Sequence, residues 1–461
     1  MSAHGLHFGI IGGGLAGLAL ALRLAQRGQR VTLIEAADHV GGLADAWKLG
    51  DVTWDRHYHV TLLSDSHLRA VLAELGLDEH MRWVPTRTGF LVDGRLLSLS
   101  NSWEFLRFPP LGLVDKLRLG WTIWRASRLD DWRQLERVPV ADWLIQKSGR
   151  RTFDRIWLPL LKAKLGDAWQ RTSAAFIWAT IQRMYAARRT GLKREMFGYL
   201  PGGYARTLAA FRLRLEALGV EFRTGCPVQQ IQRDDEGSIT VTPVAGDPLT
   251  FDRVVVTTPA PVAARMCTQL TASEIERLQG VEYLGILCAS MLLRKPLSNY
   301  YVTNITDAAP FTGVIEMTAL VDPAELGGRS LIYLPKYATA DDPAWSRSDD
   351  EIRDEFLAAM TRLYPGFDAA DVLAFRVSRV RHVFALSTLD YSRRVPPLET
   401  SVPGLFLVNS AQIVNGTLNV NETVRLAESS LDALCRPLSD PSLSGPETYG
   451  PADRELVARS R

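Results

Sequence analysis

Cysteine is scarce, net charge is small and long apolar runs are missing, and each shortage removes a class of protein. Four cysteines in 461 residues, at positions 226, 267, 288 and 435, form no C-x-x-C pair. A disulfide framework is therefore excluded, and reduced thiols in a cytoplasmic protein are expected. No stretch approaches the ~18 to 20 apolar residues of a membrane span. H-E-x-x-H spacing is absent and only His57 and His59 of the eight histidines lie close together, so no metal is expected. A formal net charge of +2 without a recognised binding motif argues against nucleic acid as a partner. Met1 leads almost directly into an apolar strand pattern, so no cleavable targeting segment is expected. The length suggests two domains, and a hydrophobic fraction of 46% suits a globular chain.

What is present begins at Phe8-Gly9-Ile10-Ile11, which reads as a buried strand. Gly12-Gly13-Gly14-Leu15-Ala16-Gly17 turns into a helix over 18–27, and Val31-Thr32-Leu33-Ile34 forms a second strand ending on Glu35. An adenine dinucleotide requires this order. Gly12 makes the tight turn, Gly14 lets the backbone approach a pyrophosphate, and Gly17 allows close helix-to-strand packing. The unpaired N–H groups at the helix start, around Leu15 and Ala16, then face the diphosphate. Glu35 can accept a ribose 2′-hydroxyl and would repel a 2′-phosphate, which favours FAD or NAD over NADP. A plain glycine connector is the bland alternative, and the flanking strands, helix and acid argue against it.

Past the acid comes Ala36-Ala37-Asp38-His39-Val40-Gly41-Gly42-Leu43, and a glycine pair here is not part of the NAD dehydrogenase pattern. On these residues the chain resembles the flavoprotein superfamily of monoamine oxidases, protoporphyrinogen oxidases, phytoene desaturases and UDP-galactopyranose mutases. The resemblance implies noncovalent FAD, with Ala36, Gly41, Gly42 and Leu43 beside its ribose and pyrophosphate. Many members carry an arginine where Leu43 stands; the mutases also lack it. Pro201-Gly202-Gly203-Tyr204 with a helix over 207–218, and the strands running from Val228 to Thr258, look like the second part of the FAD domain, Val228 lying against the adenine. Gly404 to Gln412 is similar to the family's last strand, with Ser410 where relatives have aspartate. Residues 416–431 would close over the flavin. Asn419-Val420-Asn421-Glu422 fits a helix N-cap with capping-box spacing. That helix would aim its N-terminus at the pyrimidine edge of the flavin, where negative charge gathers on reduction. An ordinary surface helix start is the alternative.

The fold class expected is α/β: a Rossmann-like FAD-binding domain with an inserted α+β substrate domain. The FAD domain takes residues 1–85, 200–270 and 396–437, and the substrate domain 86–199 and 271–395. The first insert reads as mostly helical, with breaks at Pro109-Pro110, Pro139 and Pro159, and the second as strands. Residues 438–461 read as a mobile tail.

Three groups are candidates for chemistry. Trp54-Asp55-Arg56-His57-Tyr58-His59 reads as a period-two run with Asp55, His57 and His59 on one face. The resemblance places such a strand beside the isoalloxazine, where His59 would hydrogen-bond the flavin or move a proton near neutral pH; a structural histidine is the commoner case. Lys162, Lys164 and Asp167 form the second group, whose lysines would bind an anionic head group, against the reading of a solvated helix face. Tyr333, Lys336 and Tyr337 form the third group; the resemblance to monoamine oxidases implies a water-binding lysine near flavin N5, for which Lys336 and Lys295 are the candidates.

Residues 103–195 hold nineteen Lys and Arg against nine Asp and Glu, and eight of the twelve tryptophans lie between 103 and 178. Aromatics at helical spacing are usually core. The other readings are a membrane-surface helix over 102–128 and a funnel for an anionic substrate. The function expected is an FAD-dependent oxidoreductase that removes a hydride from a C–H bond next to nitrogen or to an unsaturated system. Its substrate would be a small or lipid-linked molecule, and the protein would be cytoplasmic, with peripheral contact at the inner face of the membrane. A mutase-like flavin-dependent sugar isomerase and a non-catalytic FAD-binding partner protein are the alternatives.

Overall fold

The computed structural model describes residues 5–129, 131–186, 196–414 and 418–438. The expected tail from residue 439 onward and Gly416 of the closing loop lie outside the described residues. Five parallel strands form one sheet, in the spatial order Glu221–Arg223, Arg30–Ile34, His7–Ile11, Arg253–Val256, Leu405–Leu407. Its two faces are both covered, which is why its strands are almost continuously apolar. Phe8, Ile10, Leu33 and Val255 pack with the helices Leu15–Gln26 and Val420–Cys435. Ile11, Val254 and Val256 pack on the other side, in one core with the three-stranded antiparallel sheet of Val228–Arg233, Ile239–Pro243 and Leu249–Phe251. Arg23 pairs with Glu428 at 2.6 Å and Arg27 with Asp432 at 3.1 Å, fixing the two helices side by side.

The second sheet has seven strands, in the order Val372–Ala385, Tyr283–Leu293, Ser330–Ala338, Gly313–Glu316, Val302–Ile305, Thr88–Val92, Arg95–Ser98. Every residue of Tyr283–Leu293 is buried, so the strand must be covered on both faces. Leu287, Ala289 and Met291 meet the helix Asp349–Leu363, whereas Ile286, Cys288 and Leu292 face the hairpin Ala46–Leu49/Val52–Asp55. This two-residue alternation decides which side chains of the sheet face the FAD domain.

The first insert is helical only in part. Thr88–Val92 and Arg95–Ser98 extend the seven-stranded sheet, and Met196–Tyr199 pairs with Thr61–Leu62 and Arg82–Pro85. Between them lie the helices Ser102–Arg107, Leu113–Ala126, Val140–Ser148, Leu158–Leu165 and Ala174–Ala186. Pro159 is no break: residues 150–165 stay helical because a π-helical turn, Phe153–Trp157, precedes it, and the proline sits at the start of Leu158–Leu165 where its missing N–H costs little. Among the described residues no helix is long and apolar enough to cross a membrane.

Candidate functional site

The cofactor cradle forms where the parallel strand order reverses around His7–Ile11. Gly14 is the N-cap of Leu15–Gln26, and no side chain caps that helix or places an acid in its first turn. Its end N–H groups, from Leu15 and Ala16 onward, are thus free for an anion. The Gly13 N–H donates to Glu35 Oε2 at 2.6 Å and the Ala37 N–H to Oε1 at 2.9 Å, which orients the Glu35 carboxylate at the strand end with Ala36 exposed beside it. Gly41 holds φ at 144°, a conformation L-residues avoid, and its N–H donates to Gly13 O at 2.9 Å. This clasps the pair Gly41 and Gly42 against the first glycine turn. The Gly225 N–H donates to Ala37 O and the Cys226 N–H to Glu35 O, lacing the segment that leads into Val228 alongside the acid.

Two buried polar atoms at neighbouring strand ends have no partner, Thr258 Oγ1 and Asn409 Nδ2. Orphaned groups of this kind are rare and costly in a finished core. Their place past Arg253–Val256 and Leu405–Leu407, beside the glycine turn, fits a polar cofactor. Ser410 opens the short turn Ser410–Gln412, which Asn409 Oδ1 caps by accepting from the Ala411 N–H. Asn419 caps Val420–Cys435 as the sequence suggests, its Oδ1 accepting from the Glu422 N–H at 3.0 Å. Glu422 itself turns to Arg425, at 2.7 Å, instead of completing a capping box.

The histidine run departs from expectation. Its strand ends at Asp55 and the chain bends at Arg56, whose N–H donates to Asp45 O and whose guanidinium pairs with the Asp45 carboxylate. His57 uses both ring nitrogens, Nδ1 to Leu43 O and Nε2 to Ser378 Oγ, each at 3.1 Å. It therefore ties Leu43 of the cradle to the long edge strand of the second sheet. His59 donates from Nδ1 to His57 O and lies against the Tyr204 ring. Burial first, then the neighbouring His57, lowers the His59 pKa to about 4. Burial thus holds the ring neutral at physiological pH.

Asp55, placed by the sequence on one face with His57 and His59 but given no role there, is the unusual acid. Its Oδ1 accepts the Tyr204 N–H at 2.7 Å, at the start of the helix Gly203–Ala217. Burial outweighs that bond and raises its pKa from 3.8 to about 7. The folded state thus keeps a proton that the unfolded chain loses near pH 4, so this carboxyl costs stability progressively as pH rises towards 7. Asp55→Asn is expected to raise the melting temperature near pH 8 and to leave it near wild type below about pH 4, a full effect on the order of 4 kcal/mol. Thermal melts at both pH values decide it, since an equal difference at each would mean an ordinary carboxylate.

The lysine candidates separate. Lys336 pairs across the sheet with Leu287, on the face away from the cradle, and its Nζ meets Asp342 at 3.2 Å. Its alternation with Tyr337 puts it on the opposite face of the strand, towards the cluster that holds Asp349–Leu363. Lys162 and Asp167 are exposed. Lys164 is half-buried, and its Nζ stands 3.6 Å from the Tyr337 ring centroid and 5.4 Å from that of Phe384. The Tyr337 hydroxyl meets the Tyr58 hydroxyl at 2.9 Å. Burial, and then Tyr337, pushes the Tyr58 hydroxyl well above its ordinary pKa, so it stays protonated. Leu418, next to the Asn419 cap, packs in the same cluster as Tyr337, Phe384 and Phe176. The cluster that holds Tyr337 of the array Lys164–Tyr337–Tyr58 thus also reaches the residue before the helix cap at Asn419. The Tyr58–Tyr337 contact joins residues 279 apart in sequence, and only the sheet order brings them together.

A cradle at the reversal of a parallel sheet, walled by a second sheet, is the architecture of an FAD-dependent oxidoreductase. The chain belongs to the flavin containing amine oxidoreductase family, whose model matches residues 15–420. It is 22% identical over 399 residues to 15-cis-phytoene desaturase of Glycine max, covering 79% of this chain and 67% of that one. A structure assigned as a protoporphyrinogen oxidase from Exiguobacterium sp. 255-15 superposes with a TM-score of 0.74 at 18% identity, over 94% of this chain and 99% of that one. Putrescine oxidase bound to putrescine gives 0.72 at 18%, over 94% and 99%. These two likenesses establish the fold. The chemistry of the family is removal of a hydride from carbon, and FAD is the cofactor this enzyme uses.

Proposed function

We propose that the enzyme oxidises a C–H bond next to an unsaturated system, in an apolar substrate that carries an anionic or oxygen-rich end. The observation that carries this reading is the half-buried Lys164 ammonium set against the Tyr337 and Phe384 rings, which we take to face the substrate. A protonated amine would be repelled there, whereas a carboxylate or phosphate would be drawn in. The same cluster holds the indole N–H groups of Trp157 and Trp169, buried without a partner, which suits a ligand bearing acceptor oxygens. FAD supplies the hydride acceptor when bound. The rest is the work of this chain. Tyr337, Phe384 and Phe176 orient the apolar body and exclude water. The Tyr58 and Tyr337 hydroxyls are fixed by their mutual hydrogen bond, and the N-terminus of Val420–Cys435 presents positive potential to the charge that develops on reduction. All four cysteines are unpaired, which supports a reducing, cytoplasmic setting.

Anaerobic addition of candidate substrates tests the proposal. A porphyrinogen or a polyprenoid acid is expected to bleach the oxidised flavin, and admitting an acceptor to restore its colour, while simple amines do neither. Turnover of a nucleotide sugar only after dithionite reduction, with no oxidised product, would replace the oxidoreductase reading by the isomerase.

A further inference from the structure

Among the described residues, seven of the fourteen exposed large apolar side chains fall between residues 103 and 124. They are Trp103 and Leu106 on Ser102–Arg107, and Leu113, Val114, Leu117, Trp121 and Trp124 on Leu113–Ala126. Projected along the second helix, its five lie within an arc of about 100°. Leu119, Thr122 and Ala126 occupy the opposite side and are buried in the protein. A helix that is apolar on its outward face as well as its inward one needs a second covering. Trp121 and Trp124 stack at 4.8 Å, and exposures of 64% at Leu117 and 58% at Trp121 show that none of the described residues covers this face.

Charge decides what does. Arg107, Arg118, Arg125 and Arg128 are exposed around the face, and none forms an ion pair among the described residues. Arg107 and Arg128 instead lie over Trp103 and Trp124, at 4.3 and 5.2 Å. The nearby acids are spent: Glu104 accepts from Ser98 and Ser100, and Asp115 caps its own helix beside Arg151. A second copy docked about a twofold axis would set these arginines against their own equivalents with no acid to compensate. Anionic phospholipid supplies the missing countercharge, and tryptophan with arginine at the edge of an apolar face suits the headgroup boundary.

We infer that Ser102–Arg107 and Leu113–Ala126 form a docking face for an anionic phospholipid bilayer, with Leu113, Leu117, Trp121 and Trp124 entering the headgroup–acyl boundary. The inward side of the same helix, through Ile123 and Ala126, packs into the cluster that also holds Tyr337 and Phe384, so docking sets one wall of the cleft on the membrane.

Sedimentation of the full-length holoenzyme with vesicles tests this directly. Binding is expected to vesicles of phosphatidylcholine with roughly one part in three phosphatidylglycerol, and to be weaker by about tenfold or more with phosphatidylcholine alone. The double variant Leu117→Glu, Trp121→Glu should lose binding to the anionic vesicles by about tenfold or more while keeping its flavin absorbance, because both side chains are exposed and make no core contact. Leu213→Glu, at an equally exposed leucine on Gly203–Ala217, should bind as wild type does. Equal binding to both vesicle types, undiminished binding by the double variant, or no vesicle binding by the wild type would each overturn the inference. A wild-type dimer that the double variant dissolves, without vesicle binding, would assign the face to a second copy instead.

Discussion

Gly14→Val is expected to give a folded protein that is colourless. The backbone at Gly14 is extended, with φ −73° and ψ 180°, so a β-branched residue fits it without strain. A Cβ built there meets no atom of the protein within 4 Å. That open space lies over the free N–H groups that begin Leu15–Gln26, the ground the pyrophosphate must occupy. The substitution thus spares the fold and fills the cradle. Overpacking against the phosphates and loss of their N–H contacts together lower FAD affinity on the order of 10²-fold or more. Gly17→Val makes the contrast. Its Cβ would stand 2.0 Å from Gly12 O, inside the helix-to-strand contact itself, so that variant should lose stability as well as colour. Flavin absorbance with a thermal melt on each variant separates the two effects. A yellow Gly14→Val protein with full FAD content would refute the assignment of the cradle.

These two glycines were legible in the sequence because their roles are local. A strand, a turn, a helix and an acid follow one another within about thirty residues, and the helix at Asn419 announces itself by cap chemistry one turn long. Legibility fails where tertiary contacts decide. The run from Trp54 to His59 has the alternation of a strand, yet the strand ends at Asp55 where Arg56 pairs with Asp45, and no periodicity reports that bond. Lys336 and Tyr337 are adjacent in sequence, but a strand sends them to opposite faces. Which face meets the cradle depends on what covers the other, here the helix Asp349–Leu363. Thr88–Val92 was hidden for a similar reason: besides its hairpin partner Arg95–Ser98 it pairs with Val302–Ile305, more than two hundred residues away. The shifted acidity of Asp55 was not legible because an aspartate becomes unusual only through its burial.

Lys164→Met is expected to reduce kcat/KM for an anionic substrate by about 10²-fold while leaving FAD content and melting temperature nearly unchanged. A unit charge about 4 Å from an opposite one is worth roughly 4 kcal/mol at an effective dielectric of 20, a factor near 10³. Lys164 is only half-buried, so water screens part of this and the smaller figure is the appropriate one. Methionine keeps the length and flexibility of the side chain and can still lie against the Tyr337 ring, so packing survives and the charge alone is removed. Lys164→Arg restores the charge in a larger, planar group, and should recover part of the loss. The sign of the effect discriminates between substrates. Removing a cation from the cleft must hinder an anion and favour an amine, so a Lys164→Met enzyme that gains activity on amines identifies an amine oxidase. One that is unchanged on every substrate would place Lys164 outside the binding site, with its contact to Tyr337 left as a matter of packing.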